Sequence, residues 1–377
     1  MGRISRRKFI VCAACGAAAA VVGGYYLRSV PSVQTPQQLM GSPLKEARHY
    51  EQVGQDVVLC KLCFRKCLIQ QGNRGTCNTR ENRQGKLYTM VYEKTAATHI
   101  DPIEKLPLYH VRVGSTSLCS ASAGCNFHCL NCINWSISQK APEEVESIAK
   151  SPAELVQTAK ENGAGIIAFT YNEPTMFYEY IYEVFKLAKS AGIKTCFHTN
   201  GTMNTKPLEE MAPYLDAVVA DLKAFSKETY ENLTSGDFET VLRFLKDARR
   251  LGLWLEIVHL VIPTITDEDK KIGEMSKWIA TELGLDTPLH LSRFFPSYKL
   301  EKLAATPLNT MMKAYETAKK SGLKFVYMGN VPGEGLADTS CPNCRKMLIK
   351  RKQFAVYCND VKEGKCKYCG NPVPGAW

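Results

Sequence analysis

From residue 113 onwards the chain alternates short apolar runs with amphipathic ones. This alternation constrains the fold more than any other feature. The runs 117–123, 165–171, 194–199, 216–221, 254–261, 288–294 and 324–328 read as strands. Helix signals lie between them. Ser151-Pro152-Ala153-Glu154 offers a capping serine, proline at the first helical position and glutamate at the third, with Gly163 as the stop. The stretches 237–251 and 267–283 are each followed by glycine, Gly252 and Gly284. Repeated strand–helix units build a parallel sheet, and six or seven of them make an α/β fold, an incomplete (β/α)6-type TIM barrel. Barrels of this kind carry their chemistry at the carboxyl ends of the strands.

Those ends collect unusual polar residues. Asn172 and Glu173 close one strand, His198, Thr199 and Asn200 the next, and Asp221 with Lys223 the one after. His259 lies within the fifth strand, and Ser292-Arg293 closes the sixth. Asn, Asp and Thr are common as caps, but caps do not explain their recurrence on a single rim. Glu173 suits a substrate ammonium group, and Lys223 or Arg293 suits a carboxylate.

Above that rim the first strand runs into Cys125-x3-Cys129-x2-Cys132. With 16 cysteines in 377 residues, the spacing arises by chance about 0.03 times per chain. Iron–sulfur clusters normally take four cysteines. Three leave one iron open, which keeps a metal site available to a ligand.

Most of the other cysteines also fall into close groups, which favours metal ligation over a disulfide framework. Cys60, Cys63, Cys67 and Cys77 form a set of four within residues 51–112, for which zinc is the first expectation and a second iron–sulfur cluster stands close beside it. Cys341-x2-Cys344 and Cys366-x2-Cys369 have zinc-ribbon spacing in the segment 331–377. Cys196 and Cys358 have no partners at metal spacing and are expected to be buried. His110, after the proline-bearing segment 101–110, is expected to be structural.

At the other end, Ser5-Arg6-Arg7-Lys8 precedes an apolar run to residue 27, so residues 1–30 read as a twin-arginine-like export signal or membrane anchor, with cytoplasmic residence as the alternative. Residues 31–50 read as a linker and 113–330 as the barrel. The net charge of +11 points to an acidic partner, an anionic membrane surface or an anionic cofactor. No nucleic-acid-binding signature accompanies it, so nucleic acid is not expected as a partner.

Several motifs in order carry a resemblance over residues 57–377. They are the cysteine set 60–77, the segment 101–110, Gly124-Cys125-Asn126, Asn134-Trp135, Thr170 to Thr175, Asp221-Leu222-Lys223 and the two C-terminal cysteine pairs. Together they resemble the radical S-adenosylmethionine (SAM) enzyme of the AmmeMemoRadiSam system, which is similar to the pyruvate formate-lyase activating enzymes. The resemblance implies that Cys125, Cys129 and Cys132 hold a [4Fe-4S] cluster whose open iron binds SAM, with Glu173 near its amino group. It further implies reductive cleavage of SAM to a 5′-deoxyadenosyl radical that abstracts hydrogen from a substrate. A flavodoxin- or ferredoxin-like one-electron donor is implied, and Memo-type and AMMECR-type proteins or a protein substrate are the expected partners. Asn131 departs from the pattern, standing where an aromatic residue is usual. Two alternatives remain: a glycyl-radical-enzyme activase, and a non-catalytic exported iron–sulfur or zinc protein.

Overall fold

The computed structural model describes residues 44–333 and 335–377. Its centre is an eight-stranded sheet whose spatial order follows the sequence. We label the strands β1 (Ala97–Pro102), β2 (Thr116–Ala121), β3 (Ile166–Phe169), β4 (Lys194–Thr199), β5 (Ala217–Asp221), β6 (Trp254–Val261), β7 (Leu289–Arg293) and β8 (Val326–Gly329). β1 runs antiparallel to β2, and every later neighbour pair is parallel. β1 and β8 do not pair, so the barrel stays open. It has seven parallel strands, one more than a (β/α)6 barrel, and the antiparallel β1 extends the sheet at one edge.

The strands are apolar on both faces, as a covered parallel sheet requires. Alternation sends Ile167, Phe169, Phe197 and Val218 outward into the main core under the helices. Ile166, Ala168, Cys196 and Val219 point the other way, into the barrel interior. The segment after β1 plugs that interior with Ile103, Leu106, Leu108 and Val111. The helices are α1 (Pro152–Glu161), α2 (Tyr178–Ser190), α3 (Thr205–Met211), α4 (Lys227–Thr234), α5 (Phe238–Arg250), α6 (Asp269–Trp278) and α7 (Leu308–Lys320). The sequence signals act as expected. Ser151 Oγ accepts from Glu154 N while Ser151 N donates to the Glu154 carboxylate at 2.7 Å, and Asp237 caps α5 through Thr240 N at 2.7 Å.

The lobe before the barrel, the barrel and the tail pack as one unit. The expected linker overran the facts. Lys45–Glu46 already pairs with Lys86–Thr89, and Tyr50–Gly54 pairs with Val57–Cys60. This stretch is anchored because Ala47 is buried and Glu179 accepts from Arg48 N at 2.7 Å. The export or anchor expectation for residues 1–30 lies outside the described residues, among which no helix is long and apolar enough to cross a membrane.

The tail docks through its own core, in which Leu348, Ile349 and Val361 join Phe325 and Tyr327 of the last barrel unit. Cys196 is buried as expected, whereas Cys358, on the edge strand Ala355–Asn359, is only half-buried.

Candidate active site

The loop after β2 is braced from four sides. Asn172 Nδ2, at the end of β3, donates to Ser122 O at 2.9 Å and to Gly124 O at 2.8 Å. The Arg65 guanidinium holds Asn126 O at 3.0 Å. The Asn126 side chain bonds Asn200 and Thr202, both at 2.8 Å. His128 N and Leu130 N donate at 2.9 Å to the carbonyls of Thr234 and Leu233, at the end of α4. A loop fixed this way presents its side chains without reorganisation.

Two of its three thiols have polar neighbours. Cys125 Sγ accepts from Phe127 N at 3.4 Å, and Cys132 Sγ lies 3.1 Å from Ser138 Oγ. Burial pushes the Cys129 thiol up to about 12, with neighbouring Cys132 adding to the rise and Lys223 opposing it. Burial raises Cys125 as well, reinforced by Glu173 and the other two thiols. A soft metal would hold all three deprotonated.

Cys129 and Cys132 border a cavity of about 1080 Å³ at the carboxyl ends of the strands. Asn172, Asp221, Lys223 and Arg293 line it, as expected, and so does His198. Lys223 Nζ donates to Asp221 Oδ2 at 2.9 Å, and His198 Nε2 lies 3.3 Å from Asp221 Oδ1. Burial opposes charge on Asp221, yet Lys223 and His198 hold it below the usual carboxylate range. Arg293 donates to Thr306 O at 2.7 Å and lies over the Phe295 ring.

Glu173, Thr199 and Asn200 are not on the cavity wall. Glu173 is buried and accepts from Thr175 N, Thr175 Oγ1, Thr199 Oγ1 and Asn200 N. The Pro174-Thr175 turn that follows makes it a cap, whose oxygens brace the loop floor. His259 is also internal, bonded to Leu222 O and Thr266 O. His110 has the structural role expected, held by Pro374 O at 2.7 Å and Tyr327 OH at 2.8 Å.

The sequence reading missed the far wall. Asp101 contributes from β1, Lys105 and Tyr109 from the plug, and Arg351, Gln353 and Phe354 from the tail. One signal was available, Gly329 at the end of β8 with Gly333 and Gly335 beyond it, and all three line the cavity. Asn131 borders the cavity with its Oδ1 buried and unpartnered.

A match to the radical SAM superfamily covers residues 120–275, from the end of β2 into α6. An uncharacterized protein of Methanocaldococcus jannaschii is 39% identical over 88% of this chain and 99% of its own length. The chain carries a radical SAM domain. It is therefore a radical SAM enzyme, and the family implies a [4Fe-4S] cluster, SAM and an electron donor. The (2S)-3-sulfopropanediol dehydratase activating enzyme of Klebsiella oxytoca is 25% identical over 52% of the chain and 60% of that enzyme. The pyruvate formate-lyase 1-activating enzyme of Escherichia coli K12 is 26% identical over 41% of the chain and 65% of that enzyme. The chain thus spans under two thirds of the activating enzymes it matches.

The residues of this radical SAM site fit both groups. Cys125, Cys129 and Cys132 would hold the cluster on a braced loop beside an open cavity, which leaves room for a ligand on a fourth corner. The orphaned Asn131 Oδ1 is an acceptor suited to an adenine amino group. At the tail, the Sγ atoms of Cys341, Cys344, Cys366 and Cys369 all lie within 4.8 Å of one another and could hold one metal ion.

Proposed function

We infer that this chain binds SAM in the cavity beside Cys125, Cys129 and Cys132 and abstracts hydrogen from a substrate still to be identified. When bound, the cluster supplies one electron that splits SAM into methionine and a 5′-deoxyadenosyl radical. The chain's own residues position and exclude. Asn172 fixes the loop carbonyls, Lys223 and Arg293 offer cations to a carboxylate, and Asp221 keeps Lys223 charged and oriented. Ile133, Phe295 and Phe354 put apolar surface on the wall. The observation that carries this reading is the meeting of the cysteine loop with Asp221, Lys223 and Arg293 on one cavity.

Anaerobic reconstitution followed by measurement of 5′-deoxyadenosine tests it. Reduced wild-type protein is expected to form the product and Cys129→Ala none above background. Product that persists in Cys129→Ala overturns the assignment.

The likeness to activating enzymes favours a second reading, formation of a glycyl radical on a partner enzyme. An electron paramagnetic resonance signal on such a partner would separate it from action on another substrate. The motif order supports placing the chain in the AmmeMemoRadiSam system, with Memo-type and AMMECR-type partners and a ferredoxin- or flavodoxin-like donor. The ribbon spacing supports zinc at the tail tetrad. Export or anchoring through residues 1–30 rests on Arg6 and Arg7, and replacing both with lysine, then fractionating cells, tests it.

A further inference from the structure

The two cysteine tetrads differ in a way that their spacing in sequence does not show. In the tail tetrad, Cys341 and Cys369 Sγ are 3.7 Å apart and Cys344 and Cys366 Sγ 3.8 Å. Sulfurs bound at about 2.3 Å to one tetrahedral ion stand about 3.8 Å apart. Among the described residues, no other group of three or more His, Cys, Asp or Glu ligand atoms gathers within 4.8 Å. Cys60, Cys63, Cys67 and Cys77 therefore do not gather, yet all four line one small pocket. Thiols that surround a space without closing on its centre suit a cube bound at its outer corners. Cys125, Cys129 and Cys132 likewise do not gather within 4.8 Å.

The pocket also holds an unanswered donor. Arg80 lines it with 1% of its surface exposed. Its Nη1 donates to Arg48 O at 2.9 Å and its Nη2 to Glu179 Oε1 at 2.5 Å. Its Nε is buried with no acceptor. A buried N–H without a partner is costly, and a cube bearing four thiolates supplies both negative charge and sulfide acceptors. Hydroxyls stand by the sulfurs, with Thr79 Oγ1 3.2 Å from Cys77 Sγ and Thr76 Oγ1 3.5 Å from Cys67 Sγ, and hydrogen bonds to sulfur tune such clusters.

We propose that Cys60, Cys63, Cys67 and Cys77 hold a second iron–sulfur cube, closed by four thiolates, and not a zinc ion. It lies directly behind the first cluster loop. A Cβ on Gly124 would sit 2.6 Å from Cys77 O, and Cys63 bridges to Met203 beside the Asn200–Thr202 brace.

Counting iron, acid-labile sulfide and zinc in the anaerobically reconstituted full chain tests this. The expected contents are about eight iron, about eight sulfide and about one zinc per chain. About four iron with two zinc, or about four iron with one zinc, overturns it. The Cys125→Ala/Cys129→Ala/Cys132→Ala variant should keep about four iron with the Mössbauer signature of a cube, and an iron-free variant of native fold overturns the proposal. Should that variant not fold, the wild-type count decides alone. Wild-type protein with about eight iron that forms no 5′-deoxyadenosine would instead count against the catalytic reading and leave this one standing.

Discussion

The tail and the N-terminal lobe each bring four cysteines to the barrel, but they are attached by opposite means. The tail has a small core of its own and closes its thiols on a single point. It is tied in by Arg351, fully buried, which donates to Tyr109 O at 2.8 Å and lies 3.8 Å from the Glu104 carboxylate. It is tied in again by His110, which accepts the backbone of Ala376 at its carbonyl. The lobe instead arranges its thiols around a space and is fastened by Arg80 to Glu179 and by Arg65 to the cluster loop. The contrast teaches that one end gathers its thiols tightly enough for a single ion, whereas the other spreads them round a space that the surrounding fold keeps in place.

The largest expected effect comes from breaking the tail's side of that contrast. Cys366→Ser removes one of the four gathered thiols from a segment with little core and, with a metal bound there as proposed, should cost at least ~3 kcal/mol of tail stability. Hydrogen exchange should show residues 339–377 losing protection while the lobe keeps its own. Equal loss at both ends would erase the distinction.

Acid should sharpen it. His110 is buried neutral, its pKa lowered to about 4 by burial, with Arg351 and His290 adding to the fall and Glu256 opposing it. The unfolded chain takes up this proton near 6.5, so the fold bears no cost above that pH and loses stability as pH falls from 6.5 to about 4. At about 1.4 kcal/mol per unit the loss approaches ~3 kcal/mol. Glu256 accepts from Tyr109 N, His110 N, Trp254 Nε1 and His290 Nε2. Burial opposes its charge, but these partners, His290 foremost, hold it at about 2. Its contribution is complete above about 4.5 and is lost as pH falls towards 2. The lobe's His49 is also lowered to about 4, by burial and by Arg80, so the lobe should fade over the same window, and only the tail's joint adds the further loss at Glu256. Urea midpoints between pH 7 and pH 4 should fall, and His110→Gln should flatten the slope. An unchanged slope in that variant removes His110 as its cause.

The smallest effect sits where lobe and barrel touch. Gly124 has φ +83°, and a Cβ there would stand 2.4 Å from Thr79 Cγ2. Gly124→Ala should cost about 1–3 kcal/mol and lower iron loading, read by calorimetry and iron content. Full loading at wild-type stability would mean the two loops move independently.

Much of this was legible in the sequence. Strands such as Lys194–Thr199 and Trp254–Val261 match their apolar runs because a strand covered on both faces must be continuously apolar. Asn172, Asp221, Lys223 and Arg293 reach the cavity because each follows a strand's carboxyl end. Glu173 sits at the same rim yet faces away, since Pro174 starts a turn there and spacing does not reveal which way a side chain leaves a turn. Arg351 and Phe354 could not be read as wall residues from local pattern, because their position depends on the tail folding back over the plug.

That last contact carries an order of events. The ribosome makes Arg351, Gln353 and Phe354 after every barrel strand, and they complete the chamber's wall. A nascent chain with its barrel already formed still has a breached chamber, and a radical made there would meet solvent. Guarding of the chemistry therefore begins only when the tail is seated, well after the cysteine loop has been synthesised.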